Sequence, residues 1–92
     1  ALLHNGSVLL GIGPAPDPVQ ALPGDRFNEN RIGLDHLSLS VASMADMEAA
    51  VALLDANGVP HGDILRLEPF GIAVLALRDP DNIQVELTAP LG

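Results

Sequence analysis

Two short runs of alternating residues, with a helical pattern between them, constrain this chain more than any other feature. The first is Leu34-Asp35-His36-Leu37-Ser38-Leu39-Ser40-Val41, and the second is Ile83-Gln84-Val85-Glu86-Leu87-Thr88. Successive side chains of a strand project to opposite faces, so His36, Ser38 and Ser40 share one face while Leu37, Leu39 and Val41 share the other. The second run repeats the arrangement, with Gln84, Glu86 and Thr88 on one side and Ile83, Val85 and Leu87 on the other. An imidazole and a carboxylate on the same face of one sheet supply two-thirds of a His/His/carboxylate metal site. His36 and Glu86 are therefore the candidate site residues, as metal ligands, with Glu86 also a candidate proton carrier.

The residues between the two runs complete one unit. Ser43 suits a helix N-cap, Met44 to Asn57 reads as the helix, and Gly58 is placed as the residue just past its end. Met47, Ala50, Val51 and Leu54 recur at helical spacing and give one apolar stripe. Asp46 and Glu48 are expected in the first turn, where the helix dipole favours them, and Gly58-Val59-Pro60 stops the helix. Asp63–Leu67 reads as a strand, Glu68-Pro69-Phe70-Gly71 as a turn, and the apolar run Ile72 to Leu77 as a central strand. Asp79-Pro80-Asp81-Asn82 is a strong turn signal before the last strand, Ile83–Thr88. The order is β-α-β-β-β, an α+β module with one packed helix. Such a module leaves a concave sheet face exposed and normally requires a second module beside it.

Upstream the pattern changes. Ser7 to Ile12 is a short apolar run bounded by glycines, readable as a strand. From Gly13 to about Arg31, Pro14, Pro16, Pro18 and Pro23 oppose regular helix or central strand. Nineteen structureless residues inside one compact domain would be unusual, so this stretch reads as a linker. The expected organisation is residues 1–13 as the last strand of a preceding, truncated module, 14–32 as a proline-rich linker and 33–92 as the βαβββ module. The first residue is Ala1 rather than Met, which suggests a fragment or a processed form.

Composition narrows the function classes. The net charge is −8, with no lysine and only Arg26, Arg31, Arg66 and Arg78 as cations. Nucleic acid and anionic membrane surfaces both call for a cationic face and are disfavoured. A neutral or cationic small molecule remains compatible. Without cysteine there is no disulfide framework, thiolate metal site or cysteine nucleophile. No apolar run reaches membrane-spanning length and no signal peptide is visible, so a cytoplasmic protein is expected.

The element order, with Gly33-Leu34-Asp35-His36-Leu37-Ser38-Leu39-Ser40-Val41 and Arg78-Asp79-Pro80-Asp81-Asn82-Ile83-Gln84-Val85-Glu86-Leu87, resembles the vicinal oxygen chelate superfamily. That superfamily includes glyoxalase I, extradiol dioxygenases, methylmalonyl-CoA epimerase and the bleomycin-resistance proteins. The match covers about residues 33–90, and the run Asp79 to Leu87 is its most specific part. The resemblance implies that two βαβββ modules pair around an open cleft. It also implies that the first strand of a module gives a metal-binding His and the last a Glu, roles that fall on His36 and Glu86. Ser7 to Gly13, at the place of the preceding module's last strand, offers no carboxylate, so a four-ligand glyoxalase site from this chain alone is unsupported. Missing sequence, or a second copy in a homodimer, would have to complete the set.

Two functions follow from the resemblance. One is a divalent-metal enzyme (iron, nickel, zinc or manganese) acting on a small molecule with vicinal oxygens, of isomerase, epimerase, lyase or extradiol dioxygenase type. The other is a metal-free binding protein of the bleomycin-resistance type, which the negative charge suits. Against both stands the plain alternative that His36 is hydrogen-bonded to a neighbour and Glu86 is a solvated surface carboxylate. His61, after Val59-Pro60, reads as a solvated loop residue, and His4 carries no assigned role. Gly11-Ile12-Gly13 is no phosphate loop, since neither a helix nor a lysine follows it.

Overall fold

The computed structural model describes residues 1–92. Six strands and one α-helix run in the order β1 (Leu2–His4), β2 (Leu9–Gly11), β3 (Leu37–Ser40), α1 (Met44–Ala56), β4 (Leu65–Leu67), β5 (Ile72–Arg78) and β6 (Gln84–Pro90), with a single 3-10 turn at Glu68–Phe70. From β3 onward this is the β-α-β-β-β order expected. The sheet order is β3-β6-β5-β4, so the first and last strands of the module lie side by side. β3 and β6 are parallel, while β6, β5 and β4 are joined antiparallel. The sheet is therefore mixed, and the helix is the crossover that a parallel pair requires.

The helix begins where Ser43 Oγ accepts the Asp46 N–H at 3.2 Å. It ends in a Schellman arrangement: Gly58 is left-handed (φ 65°), its N–H donates to Asp55 O at 3.2 Å, and the Val59 N–H donates to Leu54 O at 2.9 Å. Asn57 is thus the C-cap rather than the last helical residue, and Asp46 alone is acidic in the first turn. Met47 faces the sheet and is fully buried with Leu75 and Ala89; Val41, Met44, Val51, Leu54, Ile64 and Leu87 pack around them. Ala73 and Ala89 lie directly opposite each other and both are fully buried. Their small side chains let the helix sit close to the sheet.

The other face of the sheet is open. Registers Ser38↔Glu86, Ala76↔Glu86, Val74↔Thr88 and Arg78↔Gln84 place these residues together on it, opposite the helix. Only four side chains in the chain are fully buried, which is what one covered sheet face provides. β3 pairs with β6 alone, so its outer edge carries unpaired backbone groups.

Several boundaries differ from the sequence reading. β3 starts at Leu37, not Leu34, so His36 precedes the strand. β4 starts at Leu65 rather than Asp63, and β6 runs two residues beyond Thr88. The run Ser7–Ile12 contains the strand Leu9–Gly11, but it pairs antiparallel with Leu2–His4 in a separate hairpin. Asn5 turns that hairpin, its Oδ1 accepting the N–H groups of Ser7 and Val8 at 3.0 and 2.9 Å. The proline-rich stretch forms turns but neither helix nor strand.

Candidate functional site

His36 enters the sheet one residue before the Leu37↔Val85 pair, and Glu86 lies one residue beyond Val85 on the neighbouring strand. Parallel pairing thus brings the two sequence-predicted residues together. Nε2 of His36 stands 3.9 Å from Oε1 of Glu86, with the two side chains 34% and 22% exposed. The other ring nitrogen is engaged: Nδ1–H donates to Asp35 Oδ1 at 2.7 Å. That bond leaves the lone pair of the neutral ring on Nε2, facing the carboxylate. Beside them the hydroxyls of Ser38 and Thr88 share a hydrogen bond of 3.0 Å.

The electrostatics follow from this geometry. The Asp35 hydrogen bond raises the His36 pKa above its usual value; partial desolvation opposes it, and the charges of Glu86 and Asp35 add to it. Two atoms that each lie about 2.1 Å from a shared ion stand no more than about 4.2 Å apart. The His36–Glu86 separation of 3.9 Å falls within that reach. A carboxylate on the far nitrogen of a ligating histidine is also the usual way its ring is oriented toward a metal. One ion could touch both atoms at that spacing, but the set is incomplete: no three His, Cys, Asp or Glu side chains in the chain are grouped to hold a metal.

The structure also shows residues that sequence reasoning passed over. Asp35 stands in the sequence only as one residue of the first alternating run, yet its side chain fixes the His36 ring. Arg78 binds Glu29 through two parallel bonds, Nη1 to Oε2 at 2.9 Å and Nη2 to Oε1 at 3.1 Å. The guanidinium holds the Glu29 carboxyl down at a pKa of about 2. An arginine ending the long apolar run of β5 was the available signal, since a half-buried cation needs a partner. His61 is not a free loop residue. Its Nδ1–H donates to Gly62 O and its Nε2–H to Asp55 Oδ1, both at 2.6 Å, and its backbone bridges to Leu77 of β5. His4 lies in the hairpin, among residues that line a hollow of about 250 Å³ beside Leu39.

The fold now has a counterpart among known proteins. The Glyoxalase/Bleomycin resistance protein/Dioxygenase superfamily matches residues 1–87. The chain belongs to that superfamily. A glyoxylase/bleomycin resistance protein/dioxygenase domain from Frankia sp. EAN1pec is similar at 39% identity and a TM-score of 0.66, over 73% of this chain and 48% of that one. The protein SMU.1112c is similar over 95% of this chain and 66% of its own, at 27% identity and a TM-score of 0.69. A candidate glyoxalase from Bacillus halodurans is similar at 26% identity and a TM-score of 0.61, over 80% of this chain and 56% of its own. This glyoxalase-superfamily chain thus spans about half to two-thirds of the length of those structures. No curated protein sequence matches it. Its helices include none long and apolar enough to cross a membrane.

Proposed function

We propose that this chain is one module of a divalent-metal enzyme acting on a small molecule with two adjacent oxygens, by isomerisation, epimerisation, lyase chemistry or extradiol ring cleavage. In this reading residues 33–92 are the module, residues 1–13 end a preceding one and residues 14–32 link the two. The observation that carries the proposal is the His36–Glu86 pair: Nε2 faces the carboxylate at 3.9 Å while Asp35 occupies Nδ1. Superfamily membership supports a glyoxalase-like function in the broad sense. His36 and Glu86 would hold the ion. Iron, nickel, zinc or manganese bound there would supply Lewis-acid neutralisation of charge developing on the substrate oxygens.

The protein's own groups have distinct tasks. Asp35 keeps the Nδ1 proton of His36 and so keeps Nε2 available as a donor atom. Glu86, when not fully engaged, is placed to take a proton from a substrate carbon or oxygen. The Ser38 and Thr88 hydroxyls can turn toward a substrate oxygen at the cost of one mutual bond. Further ligands would come from a second βαβββ module, most simply that of a second copy in a homodimer packed along the open face. The unpaired edge of β3 and the uncovered sheet face support that pairing.

A second reading has its own observation. Two donors do not complete a metal site, and a charge of −8 suits a cationic ligand. Under it the paired modules would form a metal-free cleft that sequesters a small molecule unchanged, in the manner of bleomycin-resistance proteins.

Elemental analysis of the longest natural form, purified without chelators, tests the two beside a Glu86→Ala variant. Near-stoichiometric metal that disappears in the variant supports the enzyme and names the reaction class to assay. Metal-free protein, unchanged after reconstitution with each of the four ions, overturns it in favour of the binding protein.

A further inference from the structure

His36 lies outside regular structure. Leu37 begins β3, and the arm that leads to it has neither helix nor strand. Ordering such an arm costs conformational entropy, so an oriented His36 needs contacts that offset it. Those contacts cluster on the turn between β5 and β6. Arg78 grips the Glu29 carboxylate with both terminal nitrogens, at 2.9 and 3.1 Å, and Nη1 also donates to Asn82 O at 3.0 Å. Asn82 has a left-handed backbone (φ 69°), and its side-chain amide donates to Phe27 O at 3.0 Å. The Phe27 N–H in turn donates to Asp81 O at 2.8 Å. Residues 27–29 are thereby fastened to the turn that leads into β6, the strand of Glu86.

The fastening lies on the site's own face. Arg78 pairs with Gln84 and Ala76 with Glu86, so Arg78 and Glu86 project to the same side of the sheet. The Arg78 and Glu29 side chains are 33% and 28% exposed. A bidentate arginine–carboxylate pair in that partly buried setting is directional as well as strong. Arg66 and Glu68 provide a contrast. They meet at a comparable 2.9 Å, but with 55% and 67% exposure and only two residues apart in sequence. Such an exposed local pair fixes little.

We propose that Glu29 and Arg78 are positioning residues, which hold the arm so that Asp35 keeps the Nδ1 proton of His36 and Nε2 faces Glu86. The consequence for metal affinity rests on the proposed metal function, but the orientation of the ring does not. The charge of Asp35 also acts on Arg78, which places the guanidinium within electrostatic reach of the carboxylate that fixes the ring.

The test compares Glu29→Gln, Glu29→Asp and Arg78→Lys with the control Arg66→Gln, each shown to be folded by circular dichroism. Nitrogen-15 NMR at an alkaline pH, where the rings are neutral, reads the tautomer of His36. Titration with zinc reads affinity. The wild type and the control are expected to hold the Nδ1–H tautomer. The three variants are expected to populate the Nε2–H tautomer substantially, and to bind zinc at least about tenfold more weakly, the scale on which outer ligand partners act. Folded Glu29→Asp or Arg78→Lys protein with the wild-type tautomer would overturn the proposal. Wild-type protein that binds no zinc would count against the metal function alone, because the tautomer comparison would still decide the role of the pair.

Discussion

Nε2 of His36 stands 3.9 Å from Oε1 of Glu86, although fifty residues separate them in the sequence (86 − 36). The parallel pairing of β3 with β6 produces that closeness by setting Ser38 beside Glu86. The first prediction concerns protons. A divalent ion binds the neutral imidazole, so protons compete for Nε2. Because Asp35 raises the His36 pKa, the competition should extend above the ordinary histidine value of 6.5. Nickel or zinc affinity measured calorimetrically should fall as pH drops through neutrality. Asp35→Asn should move the fall to lower pH, and His36→Ala should abolish binding. Affinity flat between pH 6 and 8 would count against His36 as a ligand.

Met47 is the side chain on which the helix seats. It is fully buried with Leu75 and Ala89, and the chain has few other buried residues to share the load. Met47→Ala should cost about 2–5 kcal/mol, the range for removing a large buried aliphatic side chain. Urea denaturation would read this as a lower midpoint with little change in slope. A loss below about 1 kcal/mol would mean that the core is rebuilt elsewhere.

Ser43 caps the same helix through one hydrogen bond to Asp46 N. Ser43→Ala should cost about 1 kcal/mol and Ser43→Asp should cost much less, since Asp is an equally good cap. Thermal melts of the two variants side by side separate capping from any effect of the substitution on β3. Equal losses would point to β3.

The acid limb of stability should carry the Glu29–Arg78 pair. Glu29 has its pKa lowered from 4.5 to about 2, first by the Arg78 hydrogen bond. Its contribution is present above the unfolded value and lost as pH falls from about 4.5 toward 2. Glu29→Gln should therefore lower stability at pH 7 and flatten the pH dependence in that window. Chemical denaturation at pH 3 and 7 gives the comparison, and an unchanged acid slope would remove Glu29 from the account.

How far the sequence reached is visible in particular residues. Met47, Ala50, Val51 and Leu54 were legible because a 3.6-residue period leaves a regular trace, and Met47, Val51 and Leu54 of that stripe pack in the core as expected. Gly58 was legible because a left-handed residue after a helix strongly favours glycine. His36 and Glu86 were legible as sharing a face because alternation fixes it. What alternation could not give was the end of β3. Whether Asp35 and His36 join the ladder depends on β6, whose first paired residue in the parallel register is Val85. Nor could local pattern show that Glu29, in a stretch that reads as linker, closes onto Arg78 across forty-nine residues. The hairpin was half visible: Ser7–Ile12 has an apolar run, but Leu2–His4 is too short to carry a period. His61 was misread for a similar reason. Its partners are a helix residue, Asp55, and the backbone of β5, brought to it only by the completed fold.

That misread histidine gives the last prediction. A neutral imidazole carries one N–H, yet both ring nitrogens of His61 lie 2.6 Å from oxygens that only accept, the Gly62 carbonyl and the Asp55 carboxylate. The arrangement is satisfied only by the imidazolium. Accordingly its pKa is raised above 6.5, first by the Gly62 carbonyl and then by Asp55, with partial desolvation opposing and Asp63 assisting. A group whose folded pKa exceeds its unfolded pKa adds stability that is fully present below the unfolded value and disappears as pH rises through the folded one. The helix end held by Asp55 and the β5 edge held by the His61–Leu77 bridge should therefore loosen together as pH climbs above about 6.5. Denaturation midpoints taken between pH 5.5 and 9 should decline across that range in the wild type. His61→Gln should lose part of this slope, and Asp55→Asn a smaller part, because the Gly62 bond remains. Hydrogen exchange should locate the loosening at residues 55–64. If His61→Gln keeps the full wild-type slope, the pH dependence belongs to His36 and the His61 contact is only a surface pair.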